Sequence, residues 1–244
     1  MKFSIIIPVF NGAAALARCL DSVADLPDTE VLLIDDGSAD ETWAIMRRFS
    51  QNHGNFRTFR QPHRGVSAAR NLGLTHASGE FILFLDGDDT FGTLPSPEAF
   101  PTEVEILPLF RAEQLCQLWN KVFRGDVVRA GQLRFREDLF VYEDLDFVMG
   151  YFQAAGELML APELCRHVPS GLALERAGRL DSLGSVLDCL PAELRPELAP
   201  ILARQVIAGA PKKFSRISRE CRKYAPNFST FTLLKGAMAL RFRS

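Results

Sequence analysis

The sequence predicts an α/β fold: a central, mostly parallel sheet flanked by helices, with a helical C-terminal extension. Three observations predict it. Across residues 3–85, short apolar runs alternate with segments of helical periodicity, the pattern of parallel strands joined by right-handed crossovers. The runs at 3–9 and 81–85 are dense enough in apolar residues for strands buried on both faces. Finally, the strand candidates end in turn-forming or acidic residues: Asn11-Gly12, Asp35-Asp36-Gly37-Ser38 and Asp86-Gly87-Asp88-Asp89. Open α/β sheets bind ligands at that edge.

Each element has its own reason. Residues 3–9 are the first strand, closed by the turn chemistry of Pro8-Val9-Phe10-Asn11-Gly12. Leu16, Leu20 and Val23 recur at helical spacing and give a helix over 13–25 one buried face. Residues 31–34 are the second strand, and Ser38 with Glu41 reads as a capping box for a helix whose Ile45, Met46 and Phe49 face the core. A weaker strand at 56–59 precedes a helix at 66–76, with Ser67 near its N-cap and Val66, Ala69 and Gly73 on one face. Residues 90–108 hold four prolines and read as a loop with one strand near 104–107. Leu145, Val148, Met149 and Phe152 mark a further helix, and 157–161 and 164–168 are short strands. Beyond 171 two helices follow, one carrying Leu183, Val186, Leu187 and Leu190, the next Leu198, Ile201, Leu202 and Val206.

Composition narrows the function classes. With 244 residues, 47% apolar and 24% charged, the chain is a globular domain of ordinary size plus an extension. Its boundaries are expected at 1–170, with halves at 1–90 and 91–170, and 171–244 as the extension. Five scattered cysteines without CxxC spacing suggest neither a disulfide framework nor a zinc site, and fit a reducing cytoplasm. Lys2 and the apolar run after it could pass for a secretory leader, but Pro8 and Asn11 cut the run short. No run approaches the roughly 18 apolar residues of a membrane span. The first strand lacks the G-x-G-x-x-G of dinucleotide folds, and no G-x-x-x-x-G-K-[ST] is present.

The chemistry gathers in two places. Asp86, Asp88 and Asp89 crowd one strand end and repel one another unless a positive partner joins them. A hard divalent cation carrying a phosphorylated ligand is the usual remedy. Glu143 and Asp144 open a helix, where acids also simply complement the helix dipole. Arg70, on the helix between, has its own plain reading as a side chain lying along a solvated face. Pro8 and Asn11 could equally do no more than turn the chain, with Phe10 filling a gap.

Arg70-Asn71-Leu72-Gly73, Ala77-Ser78-Gly79-Glu80, the D-x-D at Asp86-Gly87-Asp88, the D-D-G-S at 35–38 and Glu143-Asp144 together resemble the family 2 glycosyltransferases. These are inverting GT-A enzymes that use nucleotide-diphosphate sugars, and the resemblance covers roughly residues 3–168. It implies a GT-A fold, with Asp88 holding Mg²⁺ or Mn²⁺ on the donor diphosphate and Asp86 near the ribose and sugar. It also implies Pro8, Phe10 and Asn11 beside the base, with Asp36 accepting a hydrogen bond from the base, commonly uracil. Arg70 would approach the diphosphate or the metal-site carboxylates, Glu143 would help bind the donor, and Asp144 would be the catalytic base. Tyr142 stands where the family usually has glycine, and the segment after the D-x-D is shorter than usual. His167 could reach a metal or be a satisfied surface histidine. A module that binds nucleotide sugar but transfers nothing is the alternative; a nucleotidyltransferase would need a Gly-rich basic loop after the first strand.

The net charge of −2 hides a segregation, because residues 204–244 hold ten Lys and Arg against one acid, Glu220. Leu233, Leu234, Ala237 and Leu240 add an apolar stripe. The tail therefore reads as a docking element for an anionic membrane surface carrying a lipid-linked or other saccharide acceptor. A basic face packed on the acidic body explains it equally. Nucleic acid does not, since the tail's aromatics fail to alternate with its basic residues.

Overall fold

Strands buried on both faces need cover on both, and the computed structural model supplies it. It describes residues 1–94, 117–139, 142–161, 163–166, 184, 187–188, 192, 194–209 and 214–226. Along the first part of the chain β1 (Phe3–Val9), α1 (Ala13–Asp21), β2 (Thr29–Asp35), α2 (Thr42–Asn52), β3 (Phe56–Arg60), α3 (Val66–His76) and β4 (Phe81–Phe84) alternate. They are followed by β5 (Thr90–Phe91), β6 (Lys121–Arg124), α4 (Gly125–Ala130), α5 (Glu143–Ala155), β7 (Met159–Leu160), β8 (Cys165–Arg166), α6 (Arg195–Gly209) and α7 (Phe214–Tyr224).

The main sheet has the order β3-β2-β1-β4-β6-β7, and β5 pairs with β8 in a separate ribbon. The first four strands are parallel to one another, whereas β6 runs antiparallel to β4 and β7 antiparallel to β6. This is the mixed, mostly parallel sheet expected. The period of two along β1 sorts its side chains: Ile5 and Ile7 join Leu16, Leu20 and Met46 on one face, while Ile6 joins Ala69, Phe84 and Leu145 on the other. Each such fully buried aliphatic side chain contributes about 1.5–3 kcal/mol. Gly73 lets α3 lie close on β1, since a Cβ there would come within 2.4 Å of Ile6 Cγ2. The second face also takes in Leu198, Leu202 and Val206 of α6 and Ile217 and Cys221 of α7, so these helices share the core of the sheet.

Several local expectations are corrected. Helix α1 stops at Asp21 rather than 25, because the Ser22 N–H bonds back to both Arg18 and Cys19 and tightens the last turn. Val23 is buried all the same. The capping box does not form: α2 starts at Thr42, whose N–H donates to Asp40 Oδ1, while Ser38 Oγ accepts the Asn11 N–H. Ser67 lies inside α3 and is buried, the N-cap being Gly65 at φ 94°. Where 90–108 reads as mostly loop, Thr90–Phe91 is a strand paired with Cys165–Arg166. The strand expected at 104–107, the 170/171 boundary, His167, Leu183, Val186, Leu190 and the stripe from Leu233 to Leu240 lie outside the described residues. Cys19, Cys165 and Cys221 are buried free thiols, and among the described residues no helix is long and apolar enough to cross a membrane.

Candidate active site

The chain runs from β1 outward through β2 to β3, then returns to the other side of β1 as β4. The switch leaves a crevice beyond the carboxyl ends of β1 and β4, where open α/β sheets place ligands. A cleft of about 550 Å³ occupies it, lined among others by Pro8, Phe10, Asn11, Asp36, His63, Asp86 and Asp88. Six of the residues singled out in the sequence therefore share one cavity. The other three, Arg70, Glu143 and Asp144, adjoin it through Asp86.

At the β1 end, Asn11 sits at φ 50°, a left-handed conformation that asparagine tolerates. Its Oδ1 accepts the Ala39 N–H at 2.9 Å and its own N–H donates to Ser38, so it ties the first turn to the second. Phe10 is 47% exposed and stacks on the ring of His63, with centroids 3.9 Å apart.

Asp36, by contrast, is buried and serves the chain itself. Its Oδ1 accepts from Gln61 Nε2 at 2.7 Å and the Arg64 N–H at 2.9 Å; its Oδ2 accepts the Gly65 N–H at 2.9 Å and lies 2.8 Å from His63 Nδ1. Those contacts fold residues 61–65 over the end of β2. Gly37 permits the close fit, at φ 78° and with the His63 N only 2.6 Å from where a Cβ would stand.

Between the two halves of the site lies Arg70, whose side chain is 5% exposed. Its Nη1 donates to Asp144 Oδ1 at 2.6 Å, its Nη2 donates to Asp86 Oδ1 at 3.2 Å, and Glu143 Oε1 is 3.9 Å away. The Phe135 ring lies 5.3 Å from the guanidinium carbon. So Arg70 meets carboxylates, and its reading as a solvated side chain is wrong, because Gly73 seats its helix too close to β1 for that face to stay wet. Burial works against the Arg70 charge, but Asp144, Asp86 and Glu143 outweigh it and hold the proton more firmly than usual. Asp144 is pulled both ways. Burial pushes its carboxyl up, Arg70 pulls it down, and Glu143 and Asp86 push it up again, to about 7.

Asp144 reaches this place because α5 starts abruptly. Tyr142 is left-handed at φ 66°, a geometry that costs a non-glycine residue roughly 1–2 kcal/mol, and its buried side chain offsets that cost. Here is the physical reason a glycine suits this position. Glu143, Asp144 and Asp146 all fall in the first turn of α5, so the dipole explanation and the ion pairs with Arg70 hold together.

Asp88 differs from its neighbours. It is exposed, and its carboxylate has no partner among the described residues, although its backbone carbonyl accepts from Arg18 Nη2 at 2.9 Å. Among the described residues no group of three or more His, Cys, Asp or Glu could hold a metal ion alone. A hard cation of the Mg²⁺ type needs only one or two carboxylates when phosphate oxygens complete its shell. The residues present fit a cation shared with a phosphorylated ligand.

Residues 4–103 match the profile of Glycosyl transferase family 2. Over that segment the chain is similar to glycosyltransferase family 2. A PGL/p-HBAD biosynthesis glycosyltransferase of Mycobacterium bovis is 43% identical over 161 residues, 63% of this chain and 62% of the relative. The uncharacterized glycosyltransferase EpsJ of Bacillus subtilis is 25% identical over 201 residues, 66% of this chain and 58% of the relative. The chain thus spans less than two thirds of either. Among solved structures, TarS 1–349 of S. aureus superimposes with a TM-score of 0.60 at 19% identity, covering 100% of this chain and 92% of that one. The mannosyltransferase PcManGT from Pyrobaculum calidifontis gives 0.59 at 19%, covering 99% and 80%. Both are GT-A glycosyltransferase structures, and the fold of this chain is GT-A.

The sequence reading missed three residues in and around this cleft. His63 is in the cleft itself. Asn71 bonds the backbone of Phe135 in both directions, at 2.9 and 2.8 Å, and so holds the ring beneath Arg70. Glu137 pairs with Arg64 at 2.7 Å across from the 61–65 loop. Asn71 stood next to Arg70 in a quoted motif, but nothing local marks it as a tie to residue 135.

Replacing Arg70 by Met leaves three acids facing one another. Those carboxylates are ionised in the unfolded chain above about pH 4, so the penalty of refolding them unpaired grows with pH. Arg70→Met is expected to cost about 3 kcal/mol at pH 8, the low end for a broken buried pair because Asp86 is 43% exposed. At pH 4 the loss should be much smaller. Urea titrations of both proteins at the two pH values measure the difference.

Proposed function

We propose that this chain is a metal-dependent inverting glycosyltransferase, moving a sugar from a nucleotide-diphosphate donor, with UDP-sugars the first candidates, to a hydroxyl acceptor in surface polysaccharide or glycolipid synthesis. One observation carries the reading: Arg70 joins Asp86, which ends β4 and lines the cleft, to Asp144, which opens α5 beside it. Support also comes from the fold neighbours, since TarS has been solved with UDP-GlcNAc and PcManGT with GDP-Man and Mn²⁺.

In this reading Asp144 accepts the proton of the acceptor hydroxyl. The freed oxygen attacks the anomeric carbon from the face opposite the leaving diphosphate, and the bond from that carbon to the diphosphate oxygen breaks with its electron pair. A single displacement inverts the centre. Arg70 aims the Asp144 carboxylate and keeps it from turning away. Asp86 and Glu143 face the sugar side, Pro8, Phe10 and Asn11 form the wall of the base end, and Asp36 frames that end through the 61–65 loop. Asp88 would hold Mg²⁺ or Mn²⁺, which when bound neutralises charge on the departing nucleoside diphosphate. With its carboxyl at about 7, Asp144 is ionised above neutrality, so turnover should rise as pH rises through 7.

A panel of nucleotide sugars incubated with Mn²⁺, read by released nucleotide, tests the activity. Asp144→Asn should lower turnover by about 10²–10⁴-fold while donor affinity stays nearly unchanged. Asp88→Ala should instead abolish the gain in nucleotide affinity that Mn²⁺ gives the wild type in calorimetry. Near-normal turnover in Asp144→Asn would return that residue to helix stabilisation alone.

The basic extension is proposed to bring the enzyme to an anionic membrane face on the cytoplasmic side, where a lipid-linked acceptor would be presented. In α7, Ile217 and Cys221 point into the core while Arg219, Arg222 and Lys223 are exposed and have no partner among the described residues. Each cation near such a surface is worth about 1 kcal/mol, screened by salt. Because α7 shares the core, charge reversal tests this better than truncation. Co-sedimentation with anionic vesicles should appear at low salt and fade on reversing all three to Glu; equal pelleting of that variant removes the membrane from the reading.

A further inference from the structure

The donor reading above leaves open what recognises the base, and Asp36 has its four acceptor directions taken by Gln61, His63, Arg64 and Gly65. His63 is the group those bonds hold in place. Its Nδ1 faces two acceptors, Asp36 Oδ2 at 2.8 Å and the Asp36 carbonyl at 3.2 Å, so Nδ1 carries a proton. Phe10 fixes the plane of the ring from one side, and the backbone of His63 is pressed against Gly37. The ring lines the cleft with its side chain 54% exposed, and Nε2 has no partner among the described residues. In the neutral ring Nε2 is an acceptor.

We infer that His63 is a specificity-determining residue: its Nε2 accepts a hydrogen bond from the ring N–H of a lactam-type base, uracil or guanine, while Asp36 and Phe10 act by positioning it. Cytosine and adenine present a bare ring nitrogen at the corresponding edge, which would face Nε2 lone pair to lone pair. The inference rests on the donor reading and adds to it a residue that the sequence motifs did not mark.

Calorimetry with UDP, GDP, CDP, ADP and inorganic pyrophosphate, each with Mn²⁺, tests it. The wild type should bind UDP or GDP about tenfold or more tightly than CDP and ADP, the scale of one satisfied against one opposed hydrogen bond. His63→Asn puts an amide N–H where Nδ1 stood, keeps the Asp36 contact and removes Nε2. It should bring the preference within about twofold and leave pyrophosphate affinity unchanged. Should that variant fail to fold, His63→Phe keeps the stack on Phe10, also lacks Nε2, and is judged by the same two readings. A surviving preference overturns the inference, and so does an equal loss of pyrophosphate binding, which would make His63 a part of the loop's folding only. If the wild type binds no nucleoside diphosphate at all, the donor reading fails and this one with it.

Discussion

A guanidinium buried without partners costs several kcal/mol, and the cost is met only if acids converge on it with good geometry. Around Arg70 they arrive from separate parts of the chain, Asp86 from the end of β4 and Glu143 and Asp144 from the start of α5. A cation on α3 thus ties the start of α5 to the end of β4, and this brings Asp144 next to Asp86 at the edge of the cleft. The balance of charge also matters. One arginine cannot neutralise three carboxylates; the buried Lys121 also draws on Asp144, and the exposed Asp88 stands beyond them. The carboxylate of Asp88, which has no partner among the described residues, is the charge that the proposed cation and its phosphorylated ligand would meet.

The base end of the cleft is built on a different principle. There the groups are neutral donors gathered on a single buried acid, and Gly37 allows two backbone segments to touch. Arg60 adds to the clamp, with its Nε 2.8 Å from Asp35 Oδ2 and its Nη2 donating to the Ser38 carbonyl at 2.8 Å. A loop held at so many points has little entropy left to lose when a ligand arrives, so more of the contact energy appears as affinity. Pre-organisation of this kind is invisible in any single motif, since its parts come from 35–38 and 60–65.

That contrast explains how far the sequence could be read. Apolar density located β1, β2 and β4, because a strand covered on both faces leaves a plain local signature. The carboxylates at the strand ends were legible for the same reason, since they follow directly on those runs. Local capping logic failed at Ser38 and Ser67. Each had a satisfactory short-range role, but a long-range partner or tight packing took precedence. His63 went unnoticed because its importance lies in two contacts with residues 27 and 53 positions away, Asp36 and Phe10. Tyr142 shows the reverse: its place in a motif was noted, but only the backbone angle explains why glycine suits it.

The segregated charge poses a last physical question, whether the basic extension and the acidic body simply neutralise each other. Along α7 the answer is local. Arg216 lies 3.3 Å from Glu220 of its own helix, and the Tyr224 hydroxyl donates to Asp188. Arg219, Arg222 and Lys223 meet no acid of the body among the described residues. The helix has used its apolar stripe to bury Ile217 and Cys221, so it has none left to insert between lipids. Any surface it meets is met by charge alone. A bipolar molecule of this kind is turned as well as attracted near an anionic plane, which would set its orientation even where the net charge of −2 gives no attraction. Such docking would be reversible and tuned by ionic strength, quite unlike the lasting hold of an inserted amphipathic helix.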